Sequence, residues 1–278
     1  ISGVMVGRDK LLTDIDEEQL AEKIGLFFDR DFDTLKEKRI EIKDTKSWSV
    51  EEVFQKTTRE NVLNSFRIMR YGGFDFRYVA YDKGIVEGHR SEVMSQVSPD
   101  NLILCVSKSS RLPKFDDAMI SDVLVEKTFM CNRNTAYAFI FDFDNEPNLT
   151  VPHFNFNVTR HELLSYIYAI LYSDIYRERY NEFLLKEFPR IPFTKNEELF
   201  RTMAELGSKL MDIHLFRIPI SPTFSLHNGS SNSTMVGSIV FSESENRVYL
   251  NMPKKKADTD DLAYIAGISL PVWNFTIG

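Results

Sequence analysis

Two sets of residues in this chain have side chains suited to chemistry. Asp33, Glu41 and Lys43 place two carboxylates and a lysine in one segment. That is the donor set of a metal-dependent nuclease, in which acidic oxygens hold Mg²⁺ and the lysine stands beside the attacking water. The segment is dense in charge and lacks the apolar text of a strand, so a solvated surface is the simpler reading. Asp142 and Asp144 alternate at the end of an apolar run, where aspartates can ligate a metal or end a strand. The five histidines are scattered. His161 and His214 fall on predicted helices, where a surface or satisfied core role is expected. Val6-Gly7-Arg8 and Tyr71-Gly72-Gly73 lack the spacing of a phosphate-binding loop, and no GxSxG elbow occurs. No catalytic, metal or cofactor residue is assigned.

Basic side chains beside strands form the second set. Arginine can read guanine bidentately and asparagine adenine, whereas lysine mostly positions phosphates. Arg77 lies in Phe74-Asp75-Phe76-Arg77-Tyr78, where Asp75 shares its strand face and an ion pair is the structural alternative. Arg90 follows His89 in a glycine-bounded loop. Lys108, Arg111 and Lys114 follow an apolar run and surround a turn at Pro113.

The elements that must position these residues are legible in part. Asp14 or Asp16 caps a helix over 14–28, with Leu20, Ile24, Phe27 and Phe28 on its apolar face, and Ser49 with Glu52 opens a short helix. Strands are expected over 74–81, 101–107 and 136–143. Residues 159–216 read as two amphipathic helices. Thr159 with Glu162 and Thr194 with Glu197 form capping boxes. Leu163, Leu164, Ile167, Tyr168, Leu171, Tyr172 and Ile175 make an apolar stripe, while Arg177, Glu178, Arg179, Asn181 and Glu182 can face water. Pro189 and Pro192 stop the first helix. The second carries Leu199, Phe200, Met203, Leu206, Leu210 and Ile213. Segments 237–241 and 247–251 form a hairpin, and His227–Thr234 reads as a loop. The fold class is α+β, with mixed short-strand sheets flanking the central helical pair. The parts are 1–158, mixed α/β; 159–216, scaffold helices; and 217–278, small and β-rich.

The chain has 278 residues, enough for a sizeable core, with 43% hydrophobic and 27% charged residues, as in ordinary globular proteins. Its net charge of −7 argues against binding nucleic acid by bulk charge alone. Residues 9–60 hold 15 acidic and 10 basic side chains, which accounts for −5. The remainder is near balance, with basic residues gathered at 108–114 and at Lys254–Lys256. Neither helix offers the unbroken apolar length of a membrane span. Cys105 and Cys131 form no metal-ligand spacing, so a reduced, cytoplasmic setting is expected. No signal peptide is legible at the start, and a chain running from Ile1 to Gly278 reads as part of a longer protein.

SYIYAILYSDIYRERYNEFLLKEFPRIPF with ELFRTMAELGSKLMDIHLF resembles the C-terminal specificity region of type ISP restriction–modification enzymes and related single-chain adenine methyltransferase–nucleases. Ser2-Gly3-Val4 with Gly7-Arg8-Asp9, Phe74-Asp75-Phe76-Arg77-Tyr78 and Val272–Gly278 agree in order, so the resemblance spans nearly the whole chain. One departure is Gly72-Gly73 where the family usually shows Arg-Pro, which removes a positive charge beside the DNA face. The resemblance implies a non-catalytic reader of double-stranded DNA. Arg8, Arg77, Arg90, Lys108, Arg111 and Lys114 are its candidate contacts. Upstream parts of the parent chain would methylate a flipped adenine with S-adenosylmethionine and cleave with Mg²⁺, and ATP would serve a helicase-like motor. Their motifs are absent from these residues. A nuclease fragment using Asp33, Glu41 and Lys43 and a protein-interaction module are the competing readings.

Overall fold

Short helices and short strands follow one another in runs along the chain. The computed structural model describes residues 1–111, 113–219, 221, 224–227, 236–251 and 262–274. The helices are α1 (Asp9–Leu12), α2 (Glu17–Phe28), α3 (Phe32–Glu37), α4 (Val50–Lys56), α5 (Arg59–Leu63), α6 (Ser91–Met94), α7 (Arg160–Leu171), α8 (Asp174–Leu184), α9 (Glu197–His214) and α10 (Leu270–Trp273). The strands are β1 (Thr13–Asp14), β2 (Phe66–Arg70), β3 (Phe76–Ala80), β4 (Ile103–Ser107), β5 (Ala118–Ser121), β6 (Leu124–Val125), β7 (Ala136–Ile140), β8 (Asp142–Phe143), β9 (Glu146–Pro147), β10 (Ser225–His227), β11 (Val240–Ser242), β12 (Arg247–Tyr249) and β13 (Tyr264–Ala266). The fold is α+β, as the sequence predicts.

The chain divides into two compact units, Ile1–Arg217 and Ile218–Ile277. In the first, one sheet has the order β1-β3-β2-β6, in which β2 and β3 form a hairpin and β6 adds in parallel to β2. A second sheet, β5-β4-β7, is antiparallel throughout, with Cys105 opposite Met119 and Ala138. The amino-terminal segment is stitched between them. Gly3 N donates to Ala136 O at 3.1 Å and Val4 N to Val125 O at 2.8 Å. A Cβ on Gly3 would stand 2.7 Å from Glu126 O, which only glycine avoids. In the second unit, β11 and β12 form the expected hairpin, with Val240 opposite Tyr249. Among its described residues the sheet order is β10-β13-β12-β11. The 228–234 part of the expected loop, Lys254–Lys256 and residues 275–278 lie outside the described residues.

The helical region departs from the sequence reading in two ways. The first expected helix is two. α7 ends at Leu171, and Ser173 caps α8 by accepting from Tyr176 N. The break is chemically closed, because Arg177 Nε donates to Leu171 O at 2.6 Å and satisfies a carbonyl that the ended helix leaves free. Arg177 also meets Asp116 at 3.3 Å, so it is an interior ion pair rather than a water-facing residue. The start of α9 is likewise shifted. Asn196 Oδ1 accepts from Leu199 N at 3.0 Å, while Thr194 Oγ1 accepts from Asn196 N at 3.1 Å. Asparagine is as good a cap as threonine and sits two residues later, so it sets the boundary. Thr159 and Glu162 form the reciprocal capping box as expected.

Helices α7 and α9 pack so closely that a Cβ on Gly207 would stand 1.8 Å from Ser165 O. Phe200, Ala204, Gly207 and Met211 carry the buried face of α9. Leu164 and Tyr168 of α7 join Met211 and Leu215 in a core with Leu102 and Ile120, which seats the helices on the second sheet. Three residues assigned to apolar stripes instead lie outward: Ile175, Leu199 and Leu206 are 76, 51 and 55% exposed. Their periodicity is right, but the break after α7 and the glycine crossing turn them away from the core.

Arg70, at the end of β2, is fully buried. Its guanidinium donates to Gly73 O at 2.6 Å and to His214 O at 3.0 Å, and lies 4.7 Å from the centre of the Phe76 ring. His214 is also buried, with Nδ1 2.6 Å from the Tyr168 hydroxyl, which accepts from Ile120 N. Burial, with the nearby Arg70 and Arg177 charges, pushes the His214 pKa from its ordinary 6.5 down to about 4.

Gly207→Ala is expected to destabilise the fold by about 2 kcal/mol, since a 1.8 Å approach to a backbone oxygen puts overpacking near the upper end of its usual range, about 3 kcal/mol, against a helix-propensity gain of roughly 1. Thermal unfolding of the variant checks this; an unchanged midpoint would contradict the close crossing. His214 makes stability pH-dependent. Below its ordinary pKa of 6.5 the unfolded chain takes up a proton that the folded chain refuses until about pH 4. Its contribution is therefore intact above 6.5, declines between 6.5 and 4, and is flat below. The upper limit of the loss is about 3 kcal/mol. Urea unfolding across this range should show a steeper decline for the native chain than for His214→Gln.

Candidate functional site

The sequence-derived basic residues occupy distinct settings. Arg8 lies 3.7 Å from Glu87, donates to Lys43 O at 3.1 Å and Thr45 Oγ1 at 3.3 Å, and its guanidinium carbon stands 4.4 Å from the Trp48 ring centre. It holds the 43–48 segment to the body. Arg77 forms the ion pair with Asp75 at 2.7 Å and stacks on Tyr71 at 3.9 Å. The hydrogen bond to Asp75 raises its pKa further. It borders an open cleft of about 670 Å³ that Lys10, Lys38 and Arg39 also line. Arg90, in the left-handed region at φ 56°, is exposed and donates from Nε to Ser2 Oγ at 3.2 Å.

Lys108, Arg111 and Lys114 lie on one loop, between β4 and β5. All three are exposed, and among the described residues none forms an ion pair. The loop's backbone is held from both flanks. Asn134, buried before β7, accepts from Arg111 N at 3.0 Å and donates to Ser110 Oγ at 2.9 Å and to Asp117 Oδ2 at 2.6 Å. Asn181, on α8, accepts from Phe115 N at 3.2 Å and donates to Pro113 O at 3.2 Å. Ser110 N donates to Leu185 O at 3.1 Å. Phe115 is buried against Leu171, Tyr176 and Leu184, which pins the descending limb of the loop. The cations therefore project from a backbone fixed by hydrogen bonds and an aromatic anchor.

Two further cations accompany them. Arg133 adjoins Asn134, and Lys186 adjoins Leu185, and both are exposed. Sequence reading passed over both, because each adjoins the loop only through a tertiary hydrogen bond. The two acidic residues that close the loop are engaged: Asp116 pairs with Arg177, and Asp117 is buried. Asp117 Oδ1 has no hydrogen-bond partner among the described residues.

The sequence-derived metal candidates do not assemble. Glu41 and Lys43 pair with each other at 2.9 Å on the surface, and Asp33 lies in the first turn of α3. Asp142 pairs with Arg160, and Asp144, at φ 50°, accepts from Gln96 Nε2 at 3.0 Å. Among the described residues, no three His, Cys, Asp or Glu side chains are grouped to hold a metal. No described helix is long and apolar enough to cross a membrane.

The α+β scaffold thus presents a basic loop whose backbone is hydrogen-bonded from two flanks. The Type ISP C-terminal specificity domain matches residues 1–278, and the chain belongs to that family. Three solved structures share the fold. A DrdV–DNA complex is 20% identical at a TM-score of 0.70, with 100% of this chain and 29% of that one covered. The ATP-dependent Type ISP restriction–modification enzyme LlaBIII bound to DNA is 18% identical at 0.70, with 99 and 19% covered. A nuclease-deletion mutant of the Type ISP enzyme LlaGI with a DNA substrate mimic is 18% identical at 0.62, with 95 and 26% covered. This chain thus spans 19–29% of the length of those chains. No curated protein matches the sequence.

Burial pushes the Cys105 thiol up to about 12, whereas Cys131, two residues from Arg133, is half-buried. One thiol is therefore expected to react with a disulfide reagent in the folded chain at pH 8, and the second only after unfolding. Peptide mapping that finds label on Cys105 in the folded chain would contradict the packing of β4.

Proposed function

We propose that this chain is the target-recognition domain of a restriction–modification enzyme and that it reads double-stranded DNA without modifying it. The observation that carries the reading is the loop around Lys108, Arg111 and Lys114, whose cations are exposed and unpaired among the described residues while its backbone is fixed. Unpaired cations are available to phosphates, and a fixed backbone gives an arginine a defined direction toward a base edge. Two of the structural neighbours are bound to DNA and the third to a DNA substrate mimic, which supports the same assignment. An acidic chain can carry such a surface, because screening limits the reach of distant carboxylates to about 8 Å at physiological salt.

In this reading residues 1–158 form the DNA-facing part, 159–216 the scaffold and 217–278 a small β-rich part. Arg8 and Arg77 act through the structure they hold, and Arg90 stands as a secondary contact. The parent chain works in the cytoplasm. Its methyltransferase part adds a methyl group to adenine N6 using S-adenosylmethionine, and its nuclease part cleaves with Mg²⁺, with ATP driving a motor. The recognition domain selects where they act.

Replacing Lys108, Arg111 and Lys114 together by alanine in the full-length chain is expected to weaken binding to a selected duplex. Each lost phosphate contact should lower the slope of log affinity against log salt by about 0.9. Fluorescence anisotropy at four or more salt concentrations measures both quantities. Native affinity and native slope in the triple variant would refute the loop as the DNA-facing element.

A further inference from the structure

The loop is held by its backbone, and two amide side chains do the holding. Asn181 stands on the water-facing side of α8 and makes a reciprocal pair of bonds, accepting from Phe115 N and donating to Pro113 O, both at 3.2 Å. Asn134 accepts from Arg111 N at 3.0 Å and reaches Ser110 Oγ and Asp117 Oδ2 from its other end. Together they hold the loop at 110–111 and at 113–115. Among the described residues, neither forms a hydrogen bond with the side chains of Lys108, Arg111 or Lys114. Asparagine is a poor helix former and alanine the best, so the Asn181 amide gives α8 no helical advantage. Its bonds serve the loop.

We propose that Asn181 and Asn134 are positioning residues for DNA sequence discrimination. This rests on the reading of the 108–114 loop as the DNA-facing element. Attraction to phosphates needs only cations near the surface, and a mobile loop supplies that as well as a fixed one. Bidentate contact with a base edge needs the guanidinium at one place and angle. A loose loop must also be ordered during binding, which subtracts from the affinity of the ordered complex alone. Releasing the clamp therefore lowers affinity for the right sequence and leaves affinity for any other sequence in place. Discrimination and general affinity become separable properties, the first set by the two amides and the second by the cations.

The test uses the full-length chain with two probes: a duplex selected by that chain from a random pool, and a scrambled duplex of the same composition. Asn181→Ala lies on a partly exposed helix face, so its thermal midpoint is expected to stay at the native value. The ratio of affinities for selected over scrambled DNA should fall roughly tenfold or more, on the scale of one mismatched base pair. Affinity for the scrambled duplex and the salt slope should be unchanged, because no charge is removed. Asn134→Ala is the second arm and should shift the ratio in the same direction. A ratio within twofold of native in Asn181→Ala overturns the proposal. So does a fall in both affinities together with the thermal midpoint, which would mark a general loss of structure. Native binding in the Lys108, Arg111 and Lys114 triple variant would remove the loop reading, and the proposal with it. Weakened binding there with a native ratio in Asn181→Ala would remove the positioning role alone.

Discussion

A positive charge sealed inside the first unit ties its parts together. Among the described residues, Arg70 has no carboxylate partner, and a buried charge without compensation costs several kcal/mol. Two carbonyls compensate it instead. One belongs to Gly73 in the hairpin turn, the other to His214 at the last residue of α9, where the aligned peptide dipoles leave negative charge. The Arg70 carbonyl takes Glu126 N at 3.0 Å, just beyond β6. One residue therefore fixes the hairpin turn, the start of the next segment and the end of a helix 144 positions along the chain. Burial lowers its pKa, yet an arginine remains charged in proteins, so this constraint persists at any ordinary pH.

From that point the geometry propagates outward. Fixing the end of α9 fixes α7, because the two helices touch through Gly207 and Ser165 with no room for a side chain between them. The position of α7 in turn sets the break at Tyr172, where the Tyr172 hydroxyl donates to Ala118 O at 2.6 Å and Arg177 bonds Leu171 O. The break re-aims α8 across the end of the second sheet. There Asn181 meets the loop, and Phe115 is buried beside Leu184. These helices pack on the second sheet, and the break between α7 and α8 delivers a polar residue to the candidate site.

Local signals were legible wherever a residue's own neighbours determine its role. Asp16, Ser49 and Thr159 cap helices as read, and apolar runs at 103–107 and 136–140 form the central strands. The Asp75–Arg77 pair follows from period-2 spacing on a strand. Long-range roles were not legible. Arg70 looks like any strand arginine, and nothing near it in sequence indicates that a helix end at 214 will accept its charge. Asn181 sits among charged residues in a pattern that reads as solvated, and its partners are 66 and 68 positions away. Gly3 stands in text that resembles the family, but its packing reason, the close approach to Glu126 O, is not legible from its neighbours in sequence.

The clamp has a consequence for how such a domain can diversify. Hydrogen bonds to Arg111 N, Phe115 N and Pro113 O engage groups that almost any amino acid would offer at those places, proline's missing donor aside. The exposed side chains at 108, 111 and 114 carry no share of the core. They can be exchanged one at a time without disturbing the buried arginine, the helix crossing or the sheets beneath. The architecture separates the exposed side chains of the loop from the hydrogen bonds that hold its backbone, so single exchanges at 108, 111 and 114 leave the folded scaffold intact.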